Sequence, residues 1–170
     1  MRKEDLTITA MDNGYLISVS GRANFDYAVP LRELAEKLVP GNWIQFDMEY
    51  CETMDSTFMG VLTMLAMKLR KSGSKVMLIN ASSQLNKLLR ALGVAKLFNF
   101  VAGDDKNAVR SGSAVQEVQI SGKASLLTTA QTVVDAHKSL VEADSSNLEK
   151  FDKVIEFAEQ DVERLKNANQ

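Results

Sequence analysis

The sequence predicts an α/β protein: a mixed sheet of four or five strands with packed helices, extended by a C-terminal helical hairpin. Three observations predict it. Segments of period two alternate with segments of period 3.6 up to about residue 103; a polar stretch without periodicity follows; beyond residue 122 only the helical period remains. Residues 1–103 are therefore read as one domain, 104–121 as a linker and 122–170 as the hairpin.

Leu6, Ile8 and Ala10 alternate with polar residues, as do Tyr15, Ile17 and Val19, and the Asn13-Gly14 pair between them suits a tight turn with positive φ. This reads as an opening β-hairpin. Tyr27, Ala28, Leu31, Leu34, Ala35 and Leu38 recur at helical spacing, with Pro30 placed in the first turn, and Pro40-Gly41 ends the helix. Ile44, Phe46 and Met48 alternate in a third strand that ends near Cys51. Phe58, Val61, Leu62, Leu65 and Leu69 then form one apolar helical stripe, with Lys68, Arg70 and Lys71 at the end that favours cations and Gly73 beyond it. Val76–Ile79 is a continuous apolar run, the pattern of a strand buried on both faces. Leu85, Leu88, Leu89 and Leu92 make a further helix stopped at Gly93, and a weak strand follows from Phe98 to Val101. The order ββαβαβα requires right-handed crossovers and a mixed sheet.

In the tail, Val115 to Ile120 fits either a short strand or a helix start. Leu127, Ala130, Val134, His137 and Val141 then repeat at steps of three and four, and so do Leu148, Phe151, Ile155, Ala158, Val162 and Leu165. Ser146 and Glu149 have the spacing of a capping box for the second of these helices. An antiparallel hairpin results, its stripes covered either by its own domain or by a second copy in a homodimer.

Composition excludes most chemistry. Twenty basic and 22 acidic residues leave a formal charge of −2, with none of the basic excess that a nucleic-acid backbone attracts. One histidine, His137, and one cysteine, Cys51, are too few for a zinc site of the usual kind, and neither metal nor cofactor is expected. Cys51 reads as a buried, inert thiol and His137 as a packed histidine. No apolar run approaches the ~20 residues of a membrane span, and the start of the chain lacks a signal-peptide pattern, so a cytoplasmic protein without membrane insertion is expected.

One segment stands apart: Met54-Asp55-Ser56-Thr57-Phe58-Met59-Gly60, where the third strand meets the second long helix. By itself it is a good helix start, because Asp55 or Ser56 supplies an oxygen to the otherwise unpaired N–H groups of the first turn. Met59 and Met67 lie off the apolar stripe and are read as partner contacts, with core filling as the alternative.

With the ββαβαβα order, with Asp55-Ser56 followed by Gly60, and with Ala91-Leu92-Gly93 closing the last helix, residues 4–103 resemble the STAS domain, the family of sulfate transporters and anti-sigma factor antagonists. The run Ser18-Val19-Ser20-Gly21 is a weaker match. The resemblance implies a bacterial, non-enzymatic protein-binding module of signal transduction and transcription regulation. In antagonists of this family an anti-sigma factor, itself a serine kinase, phosphorylates the serine of the Asp-Ser pair, and a phosphatase restores it. Carried over, the acceptor is Ser56, with Thr57 as second candidate, and the unmodified protein sequesters the anti-sigma factor. The surrounding partner surface is Asn24, Asp26, Asp55, Met59 and Gly60. Asn24 stands where the family often has an acid, so that role falls to Asn24 or, in a shifted register, to Asp26. The alternative within the family is a scaffold subunit of a sensory or lipid-transport assembly without a sigma factor.

Overall fold

The computed structural model of the chain describes residues 5–105, 109–110, 114–120 and 123–169. A hairpin of β1 (Asp5–Met11) and β2 (Gly14–Ala23) opens the fold, and Asn13 takes the positive φ, 63°, that its turn needs. Then follow α1 (Phe25–Lys37), β3 (Trp43–Met54), α2 (Ser56–Arg70), β4 (Val76–Ile79), α3 (Ser83–Ala91), β5 (Phe98–Val101), β6 (Ala114–Val118), α4 (Leu126–Ala143) and α5 (Asn147–Ala168). The sheet runs β5-β4-β3-β2-β1-β6. The three pairings from β2 to β5 are parallel, and β1 is antiparallel to both its neighbours.

The period-two pattern decides the faces. Leu6, Ile8, Ile17, Val19, Ile44, Phe46 and Met48 are all buried, while their alternates Thr7, Ser18 and Asp47 line a shallow cleft on the other face. Against the buried face lie Leu31 and Leu34 of α1 and Phe58, Leu62 and Leu65 of α2, in one continuous core.

Four details depart from the sequence reading. The sheet gains a sixth strand: the ambiguous stretch after residue 113 pairs with the edge of β1, which otherwise ends in unpaired backbone groups. β3 runs on past Cys51 to Met54, paired along β2 as far as Ala23. α1 begins at Phe25, so Pro30 stands in its second turn, where the helix forgoes one backbone hydrogen bond. The capping box at Ser146 does not form: Ser146 has helical backbone angles, and its hydroxyl donates to Asp144 Oδ1 at 2.7 Å. Asp144 takes over the turn, accepting the Ser146 N–H as well.

The hairpin is not a free appendage. α4 lies along α2 and also meets α1 and α5. Val134, Ala136, His137 and Leu140 are buried there. The turn between α4 and α5 is pinned to α3: the buried Asn147 donates to Leu92 O at 2.9 Å and Leu140 O at 2.8 Å, and Lys150 Nζ donates to Ala91 O at 2.8 Å. The Ala91 and Leu92 carbonyls at the end of α3 gain donors in this way, and Leu140 O, which already accepts the Asp144 N–H, gains a second. On α5 the outcome is mixed: Ala158 is buried and Phe151 packs on the core, but Leu148 stays exposed.

Candidate functional site

Two parallel strands carry their residues to one end of the sheet. Arg22 pairs with Thr53 and Ala23 with Met54, and the N–H of Asp55 donates to Ala23 O at 2.9 Å. The next residue on each strand starts a helix. Asn24 caps α1, accepting the Asp26 N–H at 2.9 Å; Asp55 caps α2, accepting the Phe58 N–H at 2.8 Å. A cleft of about 340 Å³ lies between them, lined by Arg22, Ala23, Asn24, Thr53, Met54 and Asp55. The C-terminal ends of parallel strands are where open α/β sheets place binding sites.

Of the two candidates for the cap of α2, Asp55 holds that place and Ser56 is the first helical residue. Burial raises the Asp55 carboxyl above its ordinary range, although the N–H groups of Phe58, Phe25 and Thr57 and the charge of a neighbouring His137 pull it back. Ser56 is half-buried, whereas Thr57 is only 7% exposed, so Ser56 is the more accessible hydroxyl of the pair.

Ser56 has a partner that sequence spacing does not reveal. Its Oγ lies 2.9 Å from Nε2 of His137, 81 residues further on, and His137 is 1% exposed. The other ring nitrogen, Nδ1, lies 2.7 Å from Val133 O. A carbonyl only accepts, so Nδ1 carries the proton; in the neutral ring Nε2 is then the acceptor and the Ser56 hydroxyl donates to it. Burial favours that neutral ring, holding His137 below its ordinary range against the opposing pull of the Val133 carbonyl and of Asp55. The ring also packs edge-on against Phe151, with centroids 5.0 Å apart.

The remaining predicted residues separate into three groups. Asn24 and Asp55 line the cleft at the strand ends, whereas Asp26, in the first turn of α1, lines a separate cavity with Asp5, Tyr27 and Glu117. Met59 and Gly60 lie buried: Met59 is 6% exposed within the core, and an added Cβ on Gly60 would fall 2.3 Å from the carbonyl oxygen of Ala136. Gly60 is what lets α4 approach α2 so closely. Cys51 is buried, and burial pushes its thiol up to about 11, which keeps it in the unreactive form at neutral pH. Among the described residues, no group of three or more His, Cys, Asp or Glu side chains could hold a metal ion, and no helix is long and apolar enough to cross a membrane.

Comparison with known proteins bears on the family and the fold. The family model described as "Mlab, STAS domain" matches residues 6–101. Two solved structures share the fold. A candidate anti-sigma factor antagonist of Thermotoga maritima is 14% identical, covers 60% of this chain and 90% of its own, and superposes with a TM-score of 0.50. The anti-sigma factor antagonist SpoIIAA in its unphosphorylated form is 15% identical, covers 61% and 92%, and gives 0.51. No curated protein matches the sequence.

Proposed function

The chain belongs to the STAS-domain family, and on that premise we propose that it is a protein-binding regulatory module of the anti-sigma factor antagonist type, switched by phosphorylation of Ser56. The observation that carries this reading is the position of Ser56: the first residue of α2, next to the capping Asp55 and beside the cleft bounded by Asn24. A phosphate there adds about −1.5 to −2 charges at a helix N-terminus, where the dipole and free N–H groups attract negative charge. In a desolvated interface the same charge lies beside the carboxylate of Asp55. One unpaired buried charge costs several kcal/mol, enough for a ~100-fold loss of affinity. The unmodified protein binds its anti-sigma factor and the phosphorylated one releases it.

The test is incubation with ATP and an anti-sigma factor kinase, followed by mass spectrometry and binding measurements. Stoichiometric phosphate on Ser56 is expected, none in Ser56→Ala, and at least tenfold weaker partner binding in Ser56→Asp. Phosphate on Thr57, or undiminished binding by Ser56→Asp, refutes the switch.

One observation favours the scaffold reading as a second possibility. The hairpin is pinned to the domain, and its outer flank shows Leu126, Val154 and Phe157, with Leu126 73% and Phe157 60% exposed beside a groove between α4 and α5. Partner binding that persists with no phosphate on Ser56 would select it.

A further inference from the structure

The surface beside Ser56 already has an occupant. Ser56, Gly60 and Thr63 follow one another at steps of four and three on α2, and α4 covers this stripe: His137 meets Ser56 and Ala136 meets Gly60. We propose that the α4–α5 hairpin is a built-in ligand of the α2 face, latched by the Ser56–His137 hydrogen bond, and that negative charge on Ser56 evicts it. This deepens the reading of Ser56 as the switch and rests on it for the natural source of the charge.

The chemistry of the latch sets the direction. With Nδ1 committed to the Val133 carbonyl, Nε2 of the neutral ring presents a lone pair, which the Ser56 hydroxyl satisfies as a donor. A phosphoserine or carboxylate in its place brings acceptor oxygens instead. Nε2 then meets an acceptor unless the ring takes up a proton, which its burial opposes, and the 2.9 Å gap holds no space for phosphorus and its oxygens. A second close contact fails with the first, because α4 rests on α2 through Gly60 and Ala136 only one turn from the latch.

Amide hydrogen exchange on the full chain tests this without any kinase. Three variants are compared: Ser56→Ala, Ser56→Asn and Ser56→Asp, the asparagine controlling for size without charge. The expected result is at least tenfold faster exchange across residues 132–143 in Ser56→Asp than in Ser56→Asn, with β3 and β4 unchanged. Adding His137→Gln to Ser56→Asp supplies an amide donor to the carboxylate and is expected to return protection to α4. Equal exchange in the aspartate and asparagine variants, tighter protection in the aspartate variant, or parallel loss in β3 and β4 would overturn the latch. So would failure of both Ser56→Asp and the double variant to fold. A chain that opens on Ser56→Asp but accepts no phosphate keeps the latch and loses the phospho-switch; one that is phosphorylated with α4 still protected does the reverse.

Discussion

The His137 ring, buried on the face of α4 that meets α2, is hydrogen-bonded to the hydroxyl of Ser56. Its place on an apolar helical stripe predicted packing, and it is packed; its hydrogen bond to Ser56 joins residues 81 apart, and no local pattern encodes that. Ser56, by contrast, was legible because the helix-start signal is confined to a few neighbouring residues. The buried ring makes a pH prediction whose sign follows from the direction of its shift. The folded state holds His137 below its ordinary value of about 6.5, so the stability contributed by the neutral ring is present above that pH. It is lost as the pH falls through the lower, folded value, because the unfolded chain takes up the proton first. Asp55 works in the opposite sense: its carboxyl is raised, so protonation at more acidic pH favours the folded chain. Denaturation midpoints of the full chain at pH 7.5 and 5.5 are expected to fall with acid in the wild type and to fall less in His137→Gln. An identical fall in both would show that the ring is not the group responsible.

At the level of elements, period and punctuation located nearly every strand and helix of the first 101 residues, because each buries one face and the side-chain period records which. What they could not locate was pairing by an edge. Val115 and its neighbours are exposed and carry no alternation of burial, so β6 is held by backbone hydrogen bonds to β1 and leaves little trace in residue types. α5 starts where the spacing puts it, at Asn147 after Ser146, but without the capping hydrogen bond, because Asp144 competes for the serine hydroxyl and wins. Asn147, unremarked in the sequence, ties the hairpin turn to the end of α3 with one buried hydrogen bond, to Leu92 O, and back to α4 with another, to Leu140 O. Asn147→Ala leaves the carbonyls of Leu92 and Leu140 without that donor and is expected to cost about 1–3 kcal/mol. Asn147→Asp, which sets a carboxylate against the same two carbonyls, is expected to cost more. Equilibrium denaturation of the two variants checks both the size and the order, and an alanine variant as stable as the wild type would show that these bonds contribute nothing.

Whether the hairpin belongs to the domain or merely follows it is decided by glycine chemistry at one point of contact. The solved relatives match about three-fifths of this chain over nine-tenths of their own lengths, so a fold of this kind is complete without a counterpart to the rest. Here the extra helices reach back over α2, and Gly60 in the interior of that helix allows it. An interior glycine ordinarily weakens a helix by about 1 kcal/mol relative to alanine. In the full chain that gain is unavailable, because the new methyl group would meet the backbone of Ala136 at 2.3 Å, and a backbone carbonyl cannot step aside without moving α4. Overpacking of this kind costs about 1–3 kcal/mol. Gly60→Ala is therefore expected to destabilise the full chain and to loosen α4, and the same substitution in a chain truncated after Ser111 is expected to stabilise by up to about 1 kcal/mol. Thermal or denaturant unfolding of the four proteins measures the reversal. If Gly60→Ala shifts stability in the same direction with and without the hairpin, then α4 does not rest on Gly60 in solution, and the hairpin does not close the α2 face.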